Sequence, residues 1–300
     1  MKKNFICISI MGGIGDQIFQ YSYAIYLKNK LNCKVHLDIS YYSNKLNYNK
    51  FIFRLSNISK KNKLFLEKNV SYLNWNLIYY LRLISIFKIN KILPSIYGKF
   101  FKFPIKFFIY EYWKDKKKFF IKENSYYFGY WHNFKYVKNI KKDLNKNLID
   151  NVLNKNNLKK FINKINKKTV AIHIRGGDFK NLSSRNILGI SYYENSINFY
   201  KSLIKSPKFH IFTNDIKFSK KIISKILKNN EFIYIKKLKF SDIEEFSLFS
   251  KYEYAITANS TFSLMSSYLS IRRKISVAPK IWFKGEKLDN RKRFSKLKFL

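Results

Sequence analysis

The sequence predicts an α/β protein of two units, 1–164 and 165–300, each built from strands alternating with helices. Three observations predict it. Near the start, the apolar run Phe5 to Ile10 leads into Gly12-Gly13-Ile14-Gly15-Asp16-Gln17. Apolar residues then recur at helical spacing through Leu31. In the middle, Val170-Ala171-Ile172-His173-Ile174 reads as a buried strand that ends in Arg175-Gly176-Gly177-Asp178, a strand-to-loop signal. From there to the C-terminus short apolar runs alternate with helical patterns, which is how a parallel sheet is encoded.

Composition bounds the function. At 46% hydrophobic and 19% aromatic residues, 300 residues are ample for a core and exclude a disordered chain. The formal net charge of +42 points toward an anionic partner. Of 60 basic residues, however, only 8 are arginine, the better reader of phosphate and base edges. The chain is also rich in Asn, Ile, Tyr and Phe, all with A/T-rich codons, so part of the charge reflects genome composition. An anionic lipid surface is therefore favoured over nucleic acid as a partner, and no nucleic-acid role is expected. Cys7 and Cys33 form no disulfide framework and have no zinc-ligand spacing, which fits a reducing, cytoplasmic setting. The apolar run after Met1-Lys2-Lys3 is short and flows into the glycine loop, so it reads as a strand rather than a signal peptide. No uncharged stretch is long enough to span a membrane; Leu77 to Phe87, the best candidate, carries Arg82.

The elements follow in order. Val35 to Leu37 is a second strand ending at Asp38. Residues 41–128 are aromatic and Lys/Asn-rich, with Pro94 and Pro104 as breaks; Leu77 to Ile92 has a helical pattern that suits either core or a membrane surface. An aromatic segment leads to Gly129-Tyr130-Trp131-His132. Residues 138–168 are helical in pattern, with Leu144, Leu148, Val152 and Leu153 on one side. Beyond the central motif, helices are expected at Tyr192–Ile204, Ile222–Leu227, Asp242–Phe249 and Phe262–Leu269. Strands are expected at Phe209–Phe212, Phe232–Ile235, Tyr254–Thr257 and Ile275–Ala278. Asn259-Ser260-Thr261 are residues suited to cap the last helix. No internal repeat is visible.

Several of these features can carry chemistry. A strand, glycine loop and helix can hold a phosphate at the helix N-terminus, or the glycines can simply let helix and strand pack; the spacing matches neither the dinucleotide fingerprint nor a Walker loop. Arg175 stands at the carboxyl end of a strand, where open α/β sheets bind ligands, and its fork suits a diphosphate. Read alone it is equally a surface charge on a tight turn. His132 is a candidate base or a structural histidine among aromatic residues.

Taken together, the segments resemble the α-1,2-fucosyltransferases of glycosyltransferase family 11. Gly12 to Tyr21 is similar to that family's Gly-Gly-Leu-Gly-Asn-Gln segment, and Gly129-Tyr130-Trp131 to its central Gly-Tyr-Trp. His173 to Asp178 is similar to its His-x-Arg-Arg-Gly-Asp signature. Phe212 to Ile216, Ala258 to Ser263 and Ala278 to Phe283 resemble its downstream motifs. The likeness covers most of the chain and fades between residues 45 and 125. It implies two Rossmann-like domains of the GT-B kind, with donor GDP-β-L-fucose mainly on the C-terminal one. The acceptor, a galactose-terminated glycan, would lie mainly on the N-terminal one. It further implies an inverting, metal-independent transfer to a galactose 2-hydroxyl, with no cofactor; no Asp-x-Asp is present to hold a cation on a diphosphate. Arg175 would then neutralise the leaving phosphate. Asp16, where the family usually has Asn, and Asp178 are candidate bases. Donor contacts are implied for Gly12, Gly13, Gly15, His173, Arg175, Asn214, Asp215, Asn259, Ser260, Thr261 and Phe262. Three departures stand out: Gly176 replaces the second arginine, Asn214-Asp215 an acidic pair, and Leu264-Met265 an aromatic pair. They leave another nucleotide-sugar donor as one alternative, and the basic charge leaves a second, a non-catalytic basic protein that binds lipid or nucleic acid.

Overall fold

The structure, a computed structural model, describes residues 4–43, 50–68, 107–111, 121–154, 156–177, 187–283, 286–288 and 293–300. The expected helix over 77–92, the breaks at Pro94 and Pro104, and Asp178 lie outside the described residues. The chain divides into two compact units, Met1–Ile140 and Lys141–Leu300.

The first unit is a five-stranded sheet in the order β3-β2-β1-β5-β4, formed by β1 (Phe5–Ser9), β2 (Lys34–Asp38), β3 (Phe65–Glu67), β4 (Phe107–Glu111) and β5 (Ser125–Gly129). Every neighbouring pair is parallel. Ile6 lies beside Val35 on one side and Ser125 on the other, so β1 is central, and all five of its residues are buried. That is why it reads as an unbroken apolar run: both faces of a central parallel strand are covered. The helix Ile14–Leu31 follows the glycine loop and buries Ile18, Phe19, Tyr21 and Ala24. It ends at Asn32, which takes the left-handed cap conformation.

The second unit is a six-stranded sheet in the order β13-β10-β9-β6-β7-β8, again wholly parallel. Its strands are β6 (Thr169–Ile174), β7 (Lys208–Thr213), β8 (Phe232–Tyr234), β9 (Tyr254–Ile256), β10 (Ile275–Ala278) and β13 (Leu297–Phe299), while β11 (Ile281–Phe283) and β12 (Glu286–Lys287) form a separate hairpin. Side chains of β6 alternate between two cores. Val170, Ile172 and Ile174 pack with Tyr193, Ile197 and Tyr200 of the helix Ile190–Leu203. Ala171 packs on the opposite face with Phe161, Leu248 and Phe249. Helices thus cover both faces, as a parallel sheet requires. Tyr200 ties β9 to β10 by donating to the carbonyls of Ala255 and Ile275, both at 3.0 Å.

Some expectations are corrected. The boundary placed at 164/165 falls inside the second unit, because the helical run before it packs there: Phe161 joins the core around Ala171, and Asn145 donates to the Leu269 carbonyl at 3.0 Å. That run is helical as its pattern implies, in the pieces Phe134–Leu144, a π turn Asn145–Asp150, and the helices Asn151–Leu153 and Asn156–Ile162. The helix expected from Ile222 starts earlier, at Ile216, since the Asp215 carboxylate accepts the Phe218 N–H and caps it. It ends at Ile223. The strand at Phe232 stops at Tyr234 because Ile235–Leu238 turns into a 3₁₀ helix.

In both sheets the strand order reverses direction next to the first strand of the unit. In the first, β1, β2 and β3 build outward on one side while β5 and β4 lie on the other. In the second, β6, β7 and β8 go one way and β9, β10 and β13 the other. Loops leave the carboxyl ends in opposite directions at such a point and open a crevice, where α/β sheets bind ligands.

Candidate functional site

In the second unit the reversal lies between β6 and β9. His173 is the penultimate residue of β6 and is 4% exposed. Its Nδ1 pairs at 2.9 Å with the hydroxyl of Ser263, in the helix Thr261–Leu269 that follows β9, and Ser263 also accepts the Ala258 N–H at 3.2 Å. The imidazole lies 5.0 Å from the Phe262 ring, and its carbonyl accepts the Tyr193 hydroxyl. Burial, and then the charge of Arg175, push its pKa down to about 3, so the ring is neutral. Arg175, half-buried, is the first residue beyond the strand.

The two glycines after Arg175 lie against the loop that follows β7. Gly176 N–H donates to Asn214 Oδ1 at 3.0 Å, and Gly177 N–H to Asp215 Oδ2 at 3.1 Å. These N–H groups are therefore spent on the side chains of the loop after β7. Close approach explains both residues. A Cβ at Gly176 would stand 2.8 Å from the Phe218 ring and 3.0 Å from Asp215 Cβ. At Gly177, where φ is +52°, it would stand 2.8 Å from Asn214 Nδ2. The absent second arginine is thus more than a lost charge: the start of the next helix fills the space beside position 176. Asn214 and Asp215, expected at the donor, build the Arg175 loop.

The capping expectation also changes. Ser260 stands at the N-cap of the helix Thr261–Leu269, but its side chain makes no capping bond. Asn259 instead donates to the Trp282 carbonyl at 2.9 Å, tying the loop after β9 to β11.

The first unit carries the other half of the expected set. Gly12 has φ +80°, and its carbonyl accepts from Gln17 Nε2 and from the Tyr42 hydroxyl, both at 3.2 Å. Gly13 is the N-cap of the helix Ile14–Leu31, and Gly15 is buried in its first turn. Asp16, also in that first turn, meets His132 from the loop after β5, Oδ1 to Nε2 at 2.8 Å. A carboxylate is favoured at a helix N-terminus. The two residues come from the loops of β1 and β5, the strands that flank the reversal in this sheet.

Two glutamines that sequence reasoning missed hold this arrangement. Gln20, fully buried, accepts the Met11 N–H at 2.9 Å and donates to the Gly129 carbonyl at 3.0 Å, so it ties the β1 loop to the end of β5. Gln17 donates to the Ile52 carbonyl and accepts the Arg54 N–H, both at 2.9 Å. Polar residues on the buried side of a helix were the available signal. Among the described residues no group of three or more His, Cys, Asp or Glu could hold a metal ion. No described helix is long and apolar enough to cross a membrane.

Comparison with known proteins places this geometry. The model of glycosyl transferase family 11 matches residues 5–298. An α-1,2-colitosyltransferase of Escherichia coli is 26% identical over 294 residues, covering 96% of this chain and 95% of the relative. An O-antigen biosynthesis glycosyltransferase, WbnK, also of Escherichia coli, is 27% identical over 309 residues, covering 94% and 95%. Among solved structures, the Bradyrhizobium fucosyltransferase NodZ aligns over 92% of this chain and 94% of its own, with a TM-score of 0.50 at 10% identity. The shared fold is two Rossmann-like α/β units of the GT-B kind.

Proposed function

The chain belongs to glycosyl transferase family 11, and on that premise we propose that it transfers L-fucose from GDP-β-L-fucose to the 2-hydroxyl of a galactose in a bacterial surface glycan, with inversion and without a metal ion. The names of the two relatives support the linkage and the setting: one is an α-1,2-transferase and the other acts in O-antigen biosynthesis. The observation that carries the reading is Arg175, a fixed cation at the carboxyl end of β6, beside the point where the strand order reverses. As the bond from sugar to phosphate breaks, negative charge grows on the diphosphate. A guanidinium can take two phosphate oxygens at once and neutralise that charge. His173, neutral and bonded to Ser263, supplies no second cation; it fixes the end of β6 against the helix after β9.

The test is GDP release from GDP-fucose with a panel of galactosides, beside the Arg175→Ala variant. Turnover that requires a terminal galactose and falls about 10²-fold or more in the variant is expected. Turnover unaffected by the variant would remove Arg175 from the mechanism. A second donor belongs in the same panel. One relative is named for colitosyl transfer, and Gly176 leaves no room for a second arginine, so GDP-colitose is the competing donor. The basic surface would hold the protein at the inner face of a membrane, each nearby lysine contributing about 1 kcal/mol. Binding to phosphatidylserine vesicles that weakens as salt rises is expected; binding indifferent to salt contradicts it.

A further inference from the structure

We propose that Asp16 takes the proton of the acceptor hydroxyl and that His132 is the residue that positions its carboxylate. This rests on the transfer reaction proposed above and adds to it the group that activates the nucleophile.

At the carboxyl edge of the first unit's sheet Asp38, Glu67 and Glu111 end β2, β3 and β4, and Asp16 stands in the first turn of the helix after β1. Glu67 meets His36 at 2.8 Å, and the structure separates the roles of Asp16 and Asp38. Asp38 ends β2 and is fully buried. It accepts the Ser40 N–H at 2.9 Å, the Ser40 hydroxyl at 2.6 Å and the Tyr126 hydroxyl at 2.6 Å. It is a closed, structural group, and no acceptor can reach it. Asp16 keeps 19% of its side chain exposed and His132 keeps 11%. Their position between the loops of β1 and β5 is the one that strand order opens to a ligand.

The imidazole is fixed from several sides. Phe19 meets it edge-on at 4.9 Å, Tyr130 stacks on it at 5.2 Å, and Nε2 meets Asp16 Oδ1 at 2.8 Å. Trp131, the residue before it, has φ +51°, an uncommon conformation for a bulky side chain, and its ring stacks on Tyr23 at 4.1 Å. Trp131 thus anchors the loop that carries His132. On the other side of the carboxylate, a Cβ at Gly12 would stand 2.9 Å from Asp16 Oδ2, so glycine there leaves room for the second oxygen. The imidazole thus fixes the carboxylate through Oδ1, and the carboxylate is the group placed to receive a proton. The nearby phenols do not compete. Burial, helped by the charge of Asp16, raises the pKa of Tyr41 and of Tyr42, which keeps both protonated.

The step balances as follows. The acceptor O–H bond breaks and its proton goes to Asp16. The oxygen forms the new bond to the anomeric carbon while the bond from that carbon to the phosphate oxygen breaks, and the electron pair leaves with GDP. Protonated Asp16 then returns its proton to water. An N–H donated to the carboxylate favours its charged form, so His132 keeps the base ionised at lower pH.

The experiment measures kcat and donor KM against pH for wild type, Asp16→Asn, His132→Phe and His132→Gln, together with GDP affinity. Asp16→Asn is expected to lower kcat about 10²-fold or more with GDP affinity unchanged. His132→Phe should move the acidic limb of the kcat profile to higher pH by about one unit. His132→Gln should restore that limb, because an amide N–H can still donate to the carboxylate. A purely structural histidine would leave the limb where it is. Wild-type kcat in Asp16→Asn, or an unmoved limb in His132→Phe, overturns the proposal while the transfer reading stands. Absence of turnover in wild type itself, with either GDP-sugar, overturns the transfer reading and this step with it.

Discussion

The two sheets set different chemistry at equivalent places. Each is parallel, each reverses its strand order beside its first strand, and each puts a histidine at that reversal. In the first unit the histidine faces a carboxylate, His132 with Asp16. In the second it faces a hydroxyl, His173 with Ser263, while the charge there belongs to Arg175. The other pair of histidines repeats the pattern: His36 meets Glu67 at 2.8 Å in the first unit, and His210 meets the Tyr252 hydroxyl at 2.6 Å in the second. In the second unit the imidazole is neutral and the neighbouring guanidinium carries the charge. In the proposed transfer the difference would become a division of labour, with proton handling in one unit and phosphate handling in the other.

Acid should separate the two units most strongly. Burial pushes His173 down to about 3 and His210 down to about 4, from an unfolded value of 6.5. For a depressed base, the unfolded chain binds the proton first. Stability is therefore intact above about 6.5 and is lost as pH falls toward the folded pKa. Between pH 7 and 4.5 each histidine should cost about 2–3 kcal/mol. Two carboxyls work in the opposite sense. Burial raises Asp38 in the first unit and raises Glu245, on the helix Asp242–Phe249, to about 7, so acid relieves the cost of burying their charge. The clean measurement is consequently a difference: urea unfolding of wild type and His210→Phe at both pH values. The variant should lose about 2–3 kcal/mol less than wild type on acidification. Equal losses would show that His210 is not buried neutral.

A smaller effect tests how the Arg175 loop is built. Gly176→Ala places a Cβ against Phe218 and Asp215, and overpacking of that kind costs about 1–2 kcal/mol. Thermal unfolding should show the loss. An unchanged Tm would mean that position 176 is open and that the missing arginine is only a missing charge.

Much of the fold was legible because central parallel strands are apolar on both faces. All residues of β1 and of β6 are buried, and both runs stand out in the sequence. Short or peripheral elements were not legible: β3 and β13 have three residues each and lack any fully buried one. The glycine pair and Arg175 were legible as a strand-end loop. What the loop rests on was not, since Asn214 and Asp215 stand 38 residues from the N–H groups they accept. The same holds for Gln20, whose amide reaches across 109 residues to Gly129, and for Asp16 and His132, 116 residues apart. Side chains that satisfy distant backbone, or one another, leave no local periodicity to read.

The most direct measurement is calorimetric titration of GDP into wild type, Arg175→Ala and Asp16→Asn. If phosphate handling belongs to the second unit and proton handling to the first, Arg175→Ala should raise the Kd about 10-fold or more, the scale of a lost charge-assisted hydrogen bond. Asp16→Asn should leave it unchanged. Equal weakening in both variants, or weakening in neither, would contradict that division.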